Sequence, residues 1–262
     1  MKWMKSTLYD TLSIQMVGRN LITLHYPFIE AILSTIPLGC RYVIGDFGKD
    51  DLTPVINILD KYIPIEVVKI QWLCDVDLPR SLGYGAVALG KAIQDLSQHS
   101  PTYYVLNQQA CEVYCDDAIE SIYALQSMVP MDFKFRHFYG SMNHGGYGYG
   151  GYQTATRLIN KDTKFDQWDG CWPNGYGGGL PIGGHINRYG YCHHNTITQK
   201  LRNHAALYFD GDPEPKIRGT LALGKTQTWF EGHHECVQHL LNINNYDVNY
   251  SLEHAVKYLE KP

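Results

Sequence analysis

The chain has 262 residues, of which 44% are hydrophobic and 18% are charged, and its formal net charge is −4 at pH 7. This composition is typical of a globular protein, and the slight negative charge gives no general attraction to nucleic acid or to an anionic membrane. A chain of this length can bury a sizeable core, either as one large domain or as two closely packed halves.

Seven cysteines are present, at positions 40, 74, 111, 115, 171, 192 and 236. Their number is odd and no C-x-x-C pair occurs, so the pattern favours neither a disulfide framework nor a zinc ribbon. The N-terminal sequence MKWMKSTLYD lacks the apolar run of a signal peptide, and no run approaches the ~18 apolar residues that a membrane span needs. We therefore expect a cytoplasmic protein without a transmembrane segment, whose contact with a membrane would be peripheral.

Strand-like and helix-like patterns alternate over the first 110 residues. The predicted strands cover 11–16, 41–48, 65–72 and 102–108. The predicted helices cover 28–36, 51–63 and 85–96. Such alternation is typical of βαβ units and a largely parallel sheet.

Local signals suggest where two of these helices begin and end. The first helix should end before Pro37, because the residue that precedes a proline disfavours helical geometry. In the second helix, Thr53 is a plausible N-cap and Pro54 suits the first helical position.

Two groups of polar residues follow the predicted strands directly. Asp46 stands at the end of the second strand, and the segment 109–112, Gln-Ala-Cys-Glu, follows the fourth. In parallel sheets, ligands bind outside the carboxyl ends of the strands. We therefore expect both groups to line one crevice, although Asp46 could instead cap the turn that follows it.

The composition changes after a predicted helix at 116–128. From about residue 132 to residue 194 the chain is rich in Gly, Tyr, His and Asn and has weak periodicity, which indicates loops and short strands. The tyrosines between 139 and 152 could form a platform on which a sugar stacks, or they could belong to a structural loop. A helical pattern returns at 226–243.

Eight segments, taken together and in order, resemble glycosyltransferase family two and its relatives with the GT-A fold. In the first half these segments are IQMVGRNLITLHYPFIEAILSTIP, DFGKDDLT and YVLNQQACEV. In the second half they are HFYGSMNH, TRLINKD, QWDG, RYGYCHHNTITQK and FEGHHECV. The matches run from about residue 12 to residue 238, so they span nearly the whole chain.

The resemblance implies an α/β, GT-A-like fold with a Rossmann-type, mostly parallel central sheet flanked by helices and a loop-rich C-terminal half. It implies one domain over 1–262, in which about 10–117 would bind the nucleotide sugar and about 118–262 the acceptor. The implied reaction moves a sugar from a nucleotide-diphosphate sugar, such as a UDP-sugar, to an acceptor hydroxyl with inversion. The acceptor would be a glycan, a lipid-linked sugar or a protein, and no nucleic acid is implied as a partner.

The same resemblance assigns residues to the donor. Asp46 would bind the base of the nucleotide, with Arg19 near it. The segment 109–112 would reach the ribose and the diphosphate, usually through a divalent cation such as Mn²⁺ or Mg²⁺. The implied donor-binding residues are Arg19, Asp46, Gln109, Ala110, Cys111, Glu112, Arg188 and Lys200.

Cys111 and Arg188 depart from the branch of the family that carries these motifs. That branch has Asp at the first position and, at the second, a His that would complete the metal site. Mg²⁺ and Mn²⁺ prefer oxygen ligands, so Glu112 is the metal ligand that remains of this set. Three histidines could supply a further ligand, namely His185, His193 and His194. We therefore expect a weakened or absent metal requirement, with Arg188 neutralising part of the charge of the diphosphate.

An inverting transferase needs a base that deprotonates the acceptor hydroxyl. The resemblance implies Asp169, in the Trp-x-Asp turn, as the catalytic base, and His137 is an alternative base or substrate contact. Each also has a simpler interpretation, because Asp169 could end a turn and His137 could be a packed, hydrogen-bonded residue. Arg157 and Lys200 match family positions as well, but both could lie on a solvated face.

Two other functions stay open at the level of sequence. One is a non-catalytic protein that retains the fold and binds a nucleotide or a glycan. The other is a nucleotidyltransferase, which could share the acidic strand end and the nucleotide crevice but would transfer the nucleotidyl group. The sequence sets neither the base nor the sugar of the donor.

Overall fold

The computed structural model of the protein describes residues 7–70, 84–146, 153–164, 179–208, 211–223 and 228–261. The strands in these ranges are β1 Leu12–Gly18, β2 Arg41–Asp46, β3 Ile65–Lys69, β4 Tyr104–Gln108, β5 Glu112–Tyr114, β6 Met131–Tyr139, β7 His144–Gly146, β8 Thr154–Asn160, β9 Leu180–Tyr191 and β10 Thr228–Trp229. The α-helices are α1 Phe28–Thr35, α2 Thr53–Leu59, α3 Tyr84–His99, α4 Asp116–Tyr123, α5 His194–Tyr208, α6 Glu214–Leu223 and α7 Val248–Leu259. Two 3₁₀ helices, Ile36–Leu38 and Glu235–Leu240, complete the set.

The described strands form one mixed sheet. Along its main path the order is β10-β7-β6-β8-β4-β1-β2-β3, and β9 pairs with β5 and β6 beside this path. The strands β4, β1, β2 and β3 are parallel, whereas β8 is antiparallel to both β4 and β6. The predicted fold class is confirmed: a Rossmann-type parallel sheet flanked by helices, continued by a second half in a GT-A-like arrangement.

Burial on both faces accounts for the apolar runs of the central strands. Every residue of β1 except Val17 is buried, and every residue of β2 except Arg41. The helix α1 is buried along its whole length and ends at Thr35, so the prediction that it stops before Pro37 is confirmed. A parallel sheet covered by helices buries both faces of its strands, and in β1 the polar residues Ser13 and Gln15 are buried together with the apolar ones.

The register of the parallel strands brings their polar ends together. Gly18 at the end of β1 pairs with Asp46, and Asp46 pairs with Lys69 at the end of β3. On the other side of β1, Met16 pairs with Gln108 at the end of β4. Asp46 and the segment that follows Gln108 therefore lie at the same edge of the sheet, as the sequence predicts.

The prediction of loops and short strands for 132–194 is wrong for two elements. The strands β6 and β9 have 9 and 12 residues, and they pair with each other in parallel. The sequence of β9, LPIGGHINRYGY, contains three glycines. Glycine has a low preference for strands and obscures the alternation of polar and apolar residues, which is why the strand was missed.

Two predictions about helices need correction. Thr53 is the first residue of α2 and not its N-cap, which is Leu52, and the Asp51 side chain accepts a hydrogen bond from the Thr53 amide at 3.0 Å. The predicted helix at 226–243 is wrong, because this segment holds the strand β10 and a 3₁₀ helix. The helices α5, α6 and α7 were not predicted. No helix in the described part of the chain is long and apolar enough to cross a membrane.

A glycine allows β9 to lie directly against α4. Gly184 has a φ of +85°, and a Cβ atom built on it would lie 2.3 Å from the backbone nitrogen of Ala118 in α4. Neither the positive φ nor this distance suits a residue with a side chain. The position of β9, which carries Arg188, therefore depends on this glycine.

We predict that Gly184→Ala lowers the free energy of unfolding by about 2–4 kcal/mol, because it combines backbone strain with a clash against backbone atoms. Urea denaturation followed by circular dichroism measures this change. Gly219→Ala in α6 is the matched control, since a Cβ there meets nothing within 4 Å, and it should be neutral or stabilise the helix by up to about 1 kcal/mol. Equal stability of Gly184→Ala and wild type would contradict the assigned role of this glycine.

Candidate functional site

The segment after β4 is a tight turn that its own hydrogen bonds close. The Gln109 amide donates to the Glu112 carboxylate at 3.0 Å, and the Glu112 amide donates to the Gln109 carbonyl at 3.0 Å. The Tyr189 amide in β9 donates to the Cys111 carbonyl at 2.9 Å. The turn is therefore anchored both within itself and to the second half of the chain.

Glu112 forms a buried ion pair with Arg157 of β8. Both side chains are 0% exposed, and the guanidinium donates from Nη2 to Oε1 at 2.7 Å and from Nε to Oε2 at 2.8 Å. Burial alone would raise the pKa of the Glu112 carboxyl, but Arg157, with help from Arg188, holds that pKa below its usual value. The interpretation of Arg157 as part of a solvated face is wrong.

These residues do not fit a site for Mg²⁺ or Mn²⁺. Both oxygens of Glu112 already accept hydrogen bonds from Arg157. Cys111 and Arg188 occupy the other two positions that hold metal ligands in the related branch. The thiol of Cys111 is a poor ligand for a hard cation, and the guanidinium of Arg188 cannot bind one. No group of three or more His, Cys, Asp or Glu in the described ranges is arranged to hold a metal ion.

Three histidines have local partners instead. Nδ1 of His193 lies 3.1 Å from the Ile243 carbonyl, and Nδ1 of His233 lies 2.8 Å from the Tyr189 hydroxyl. Nδ1 of His234 lies 3.0 Å from the Cys236 sulfur. The cysteines in the described part are free thiols: Cys40, Cys111, Cys115, Cys192 and Cys236. The contacts of His193, His233 and His234 support structural roles for these three histidines.

Arg188 lies directly across the sheet from Glu112. The two residues are register partners of the antiparallel β5–β9 pair. The Arg188 side chain is 9% exposed, and its Nη2 donates to the Gln109 side-chain oxygen at 2.6 Å. The guanidinium is thus oriented by a neutral amide at the turn.

Lys200 reaches the same turn from the first half of α5. It is 4% exposed, so its assignment to a solvated face is also wrong. The Nζ atom lies 3.8 Å from the Cys111 sulfur and 4.3 Å from the centre of the Tyr191 ring. Gly190 makes this approach possible, because a Cβ there would lie 2.6 Å from Nζ and 2.9 Å from the sulfur.

We call Arg188 and Lys200 the cationic cluster. The aromatic rings around it are neutral at physiological pH: burial raises the pKa of Tyr26 and of Tyr139 to about 12. Tyr139 stacks on Tyr191 with the ring centres 5.3 Å apart. Within the described ranges, the partners of Lys200 are the Cys111 thiol and the rings of Tyr26 and Tyr191, and none of them is a carboxylate. A buried ammonium in such surroundings favours an anionic ligand.

Asp46 and Arg19 lie at the neighbouring strand ends. The Asp46 carboxylate accepts a hydrogen bond from the Gly48 amide at 2.8 Å and forms an ion pair with the exposed Lys69 side chain. Arg19 follows Gly18, the register partner of Asp46. Asp46 therefore does cap its turn, and its contact with a nucleotide base stays a prediction.

The two candidate bases have different outcomes. Asp169 lies outside the described residues, as do residues 147–152 of the tyrosine-rich stretch at 139–152, which hold three of its four tyrosines. His137 is 1% exposed within β6, where its ring centre lies 6.0 Å from that of Phe135 and 6.1 Å from that of Tyr139. Its burial favours the interpretation as a packed residue. Ala110, also buried, contributes backbone to the turn.

A histidine that no sequence motif singles out lies beside the cationic cluster. His204 lies one helical turn beyond Lys200 on α5, and its ring meets Tyr191 edge to face at 6.4 Å. The i, i+4 spacing of Lys200 and His204 would have shown that they share a helix face, had the helix been predicted.

No protein-family model matches this chain, and no curated protein matches it. The chain is similar to solved structures of S. aureus TarS (TM-score 0.43, 11% identity, 82% of this chain and 43% of that chain), and thus spans less than half of that protein's length. It is also similar to a mannosyltransferase from Pyrobaculum calidifontis in complex with GDP-Man and Mn²⁺ (TM-score 0.39, 11% identity, 98% of this chain and 77% of that chain). A third similar structure is that of 4-diphosphocytidyl-2C-methyl-D-erythritol synthase from Anaerococcus prevotii (TM-score 0.32, 12% identity, 96% of this chain and 99% of that chain). Because all three TM-scores are below 0.5, the fold assignment rests on the strand order and register of this chain.

We predict that Arg157→Met lowers the free energy of unfolding by about 3–5 kcal/mol, because it leaves the Glu112 carboxylate buried without its partner. The double variant Glu112→Gln/Arg157→Met should recover much of this loss, since neither charge remains. Urea denaturation at pH 7 compares the three proteins. A double variant that is less stable than Arg157→Met would contradict the pairing.

The same ion pair predicts a dependence of stability on pH. The pKa of Glu112 is lower in the folded protein than in the unfolded chain, where a glutamate titrates near about 4.3. The stabilisation is therefore fully present above that value and is lost as the pH falls through the folded pKa. Urea midpoints measured between pH 7 and pH 3 should converge for wild type and the double variant. A constant difference over that range would contradict this linkage.

Proposed function

We propose that this protein is an inverting glycosyltransferase that transfers a sugar from a nucleotide-diphosphate sugar to an acceptor hydroxyl. In this proposal the cationic cluster binds the diphosphate in place of a metal ion. The observation that carries it is the buried Lys200 ammonium, which reaches Cys111 in the turn after β4, the same turn that Arg188 contacts through Gln109.

The chemistry of the cluster suits a diphosphate. An ammonium removed from water is stabilised when an anion supplies the missing charge and hydrogen bonds. A guanidinium can bind phosphate oxygens through two parallel hydrogen bonds, while a lysine acts as a point charge. Both oxygens of Glu112 accept hydrogen bonds from Arg157, and Arg188 adds a smaller electrostatic interaction with the same carboxylate.

The same cations would assist bond cleavage. When the bond between the sugar and the diphosphate breaks, negative charge develops on the leaving phosphate oxygen. Arg188 and Lys200 are held in place by Gln109, by Cys111 and by aromatic rings. Charges that are oriented in advance stabilise such a transition state without reorganisation.

The nucleotide would extend from the cluster along the edge of the sheet. Asp46 and Arg19 lie at the strand ends next to the turn, so the proposal retains them as contacts of the base and Gln109 as a contact near the ribose. The acceptor belongs to the second half of the chain. A glycan, a lipid-linked sugar or a protein would each supply the hydroxyl.

We predict that calorimetric titration shows binding of UDP or GDP in the presence of EDTA, and that Mn²⁺ does not strengthen it by more than a few fold. Arg188→Gln and Lys200→Gln should each raise the Kd about 10- to 100-fold, the loss of one charge-assisted hydrogen bond. Arg202→Gln is the matched control, because this exposed α5 residue pairs with Glu214, and it should leave the Kd unchanged.

Three results would oppose the proposal in distinct ways. Binding that requires Mn²⁺ would mean that a cation, and not the cluster, neutralises the diphosphate. Binding without turnover of any nucleotide sugar would favour a non-catalytic binding protein. Release of pyrophosphate from a nucleoside triphosphate, with a sugar phosphate as co-substrate, would identify a nucleotidyltransferase.

A further inference from the structure

A cavity of about 250 Å³ lies between α5 and the start of α6. Its wall contains His204 and Leu201 from α5, Lys216 from α6, and Asp212 from the connection between them. At ~30 Å³ per water molecule, this volume matches that of a small polar group such as one sugar ring better than that of an oligosaccharide. Polar side chains on an otherwise apolar wall are typical of a binding site for a small molecule.

His204 connects this cavity with the cationic cluster. It lines the cavity, and its ring meets Tyr191 edge to face. The Lys200 ammonium lies over the same tyrosine ring at 4.3 Å. The imidazole and the ammonium therefore both contact Tyr191, and they project from one face of α5.

The charges that surround His204 are predominantly positive. Lys200 on its own helix, Arg188 on β9 and Lys216 on α6 all act on it, and Asp212 is the carboxylate among the cavity residues named above. Burial, followed by these three cations, lowers the pKa of His204 to about 3. The imidazole is therefore neutral at physiological pH and can accept a proton.

We propose that the cavity between α5 and α6 receives the reacting sugar and the acceptor hydroxyl, and that His204 is the general base for that hydroxyl. This inference rests on the proposed function, because it requires a diphosphate on the cationic cluster. Asp169 and His137 are not needed for this role.

The acceptor hydroxyl gives its proton to a ring nitrogen of His204 while its oxygen forms a bond to the anomeric carbon of the sugar. The bond between that carbon and the diphosphate oxygen breaks, and its electron pair leaves with the nucleoside diphosphate. The imidazolium then loses its proton to water.

Binding of the donor would itself strengthen this base. The two charges of the cluster disfavour protonation of His204, and a bound diphosphate would cancel much of their effect. A base is most effective when its pKa lies near the working pH. His204 is therefore a weak base in the empty protein and a stronger one once the donor is bound, so the acceptor would be activated when a sugar is present.

The test is a titration of the histidine ring signals by NMR, with the His204 signal assigned through His204→Gln. Pyrophosphate is the probe, and calorimetry on the same samples reports whether it binds. We expect saturating pyrophosphate to raise the pKa of His204 by about 1–2 units, as nearby opposite charge does. The exposed His99 on α3 is the control and should not shift.

The outcomes separate the two proposals. Pyrophosphate that binds without moving the His204 titration overturns the base assignment and leaves the proposed function intact. Failure of pyrophosphate, UDP and GDP to bind overturns the proposed function.

Release of nucleoside diphosphate from UDP-glucose and GDP-mannose, with water as acceptor, provides the kinetic readout. His204→Gln should lower this rate about 10²- to 10⁴-fold while the Kd for UDP or GDP changes less than about twofold. His99→Gln should behave as wild type, and a wild-type rate for His204→Gln would refute the assignment.

Discussion

The buried ion pair between Glu112 and Arg157 is the interaction on which the candidate site depends. It joins the turn after the parallel half of the sheet to β8 in the second half, with neither charge exposed to water. A buried carboxylate and a buried guanidinium stabilise each other here because two hydrogen bonds join them. The pair also fixes the Gln109 amide through the second carboxylate oxygen, and so determines the shape of the turn.

Glu112 pairs with Arg157 through both of its oxygens, so Arg188 and Lys200 add positive charge around a carboxylate that is already paired. The ring hydroxyls around them stay protonated, and Lys200 has a thiol as its hydrogen-bond partner in the described part of the chain. The excess of positive charge has two consequences. It favours an anionic ligand at the turn, and it adds to burial, which has the larger effect, in lowering the pKa of His204 at the nearby cavity. Anion binding and the basicity of His204 are thereby coupled through the same electrostatic field.

The parallel half of the fold could be predicted because its signals are local. Strand-like segments rich in apolar residues, helical spacing and strand-ending polar residues lie within short windows, and β1, β2 and α1 form where these patterns occur. The second half could not be predicted in the same way. In β9, glycines at 183, 184 and 190 interrupt the alternation, yet two of them allow close approach to α4 and to Lys200. Packing against distant elements, and not strand preference, selects those residues.

The sequence by itself determined the βαβ order, the edge at which Asp46 and the segment 109–112 meet, and the replacement of expected metal ligands by Cys111 and Arg188. Only the tertiary structure decided which charges pair. Glu112 meets Arg157 across 45 residues, and Lys200 meets Cys111 across 89. Such contacts depend on the register between strands and on the helix α5, whose position is set by packing of the whole chain. Local periodicity carries no information about register between distant strands, so a charge that looks solvated in the sequence can be buried in the fold.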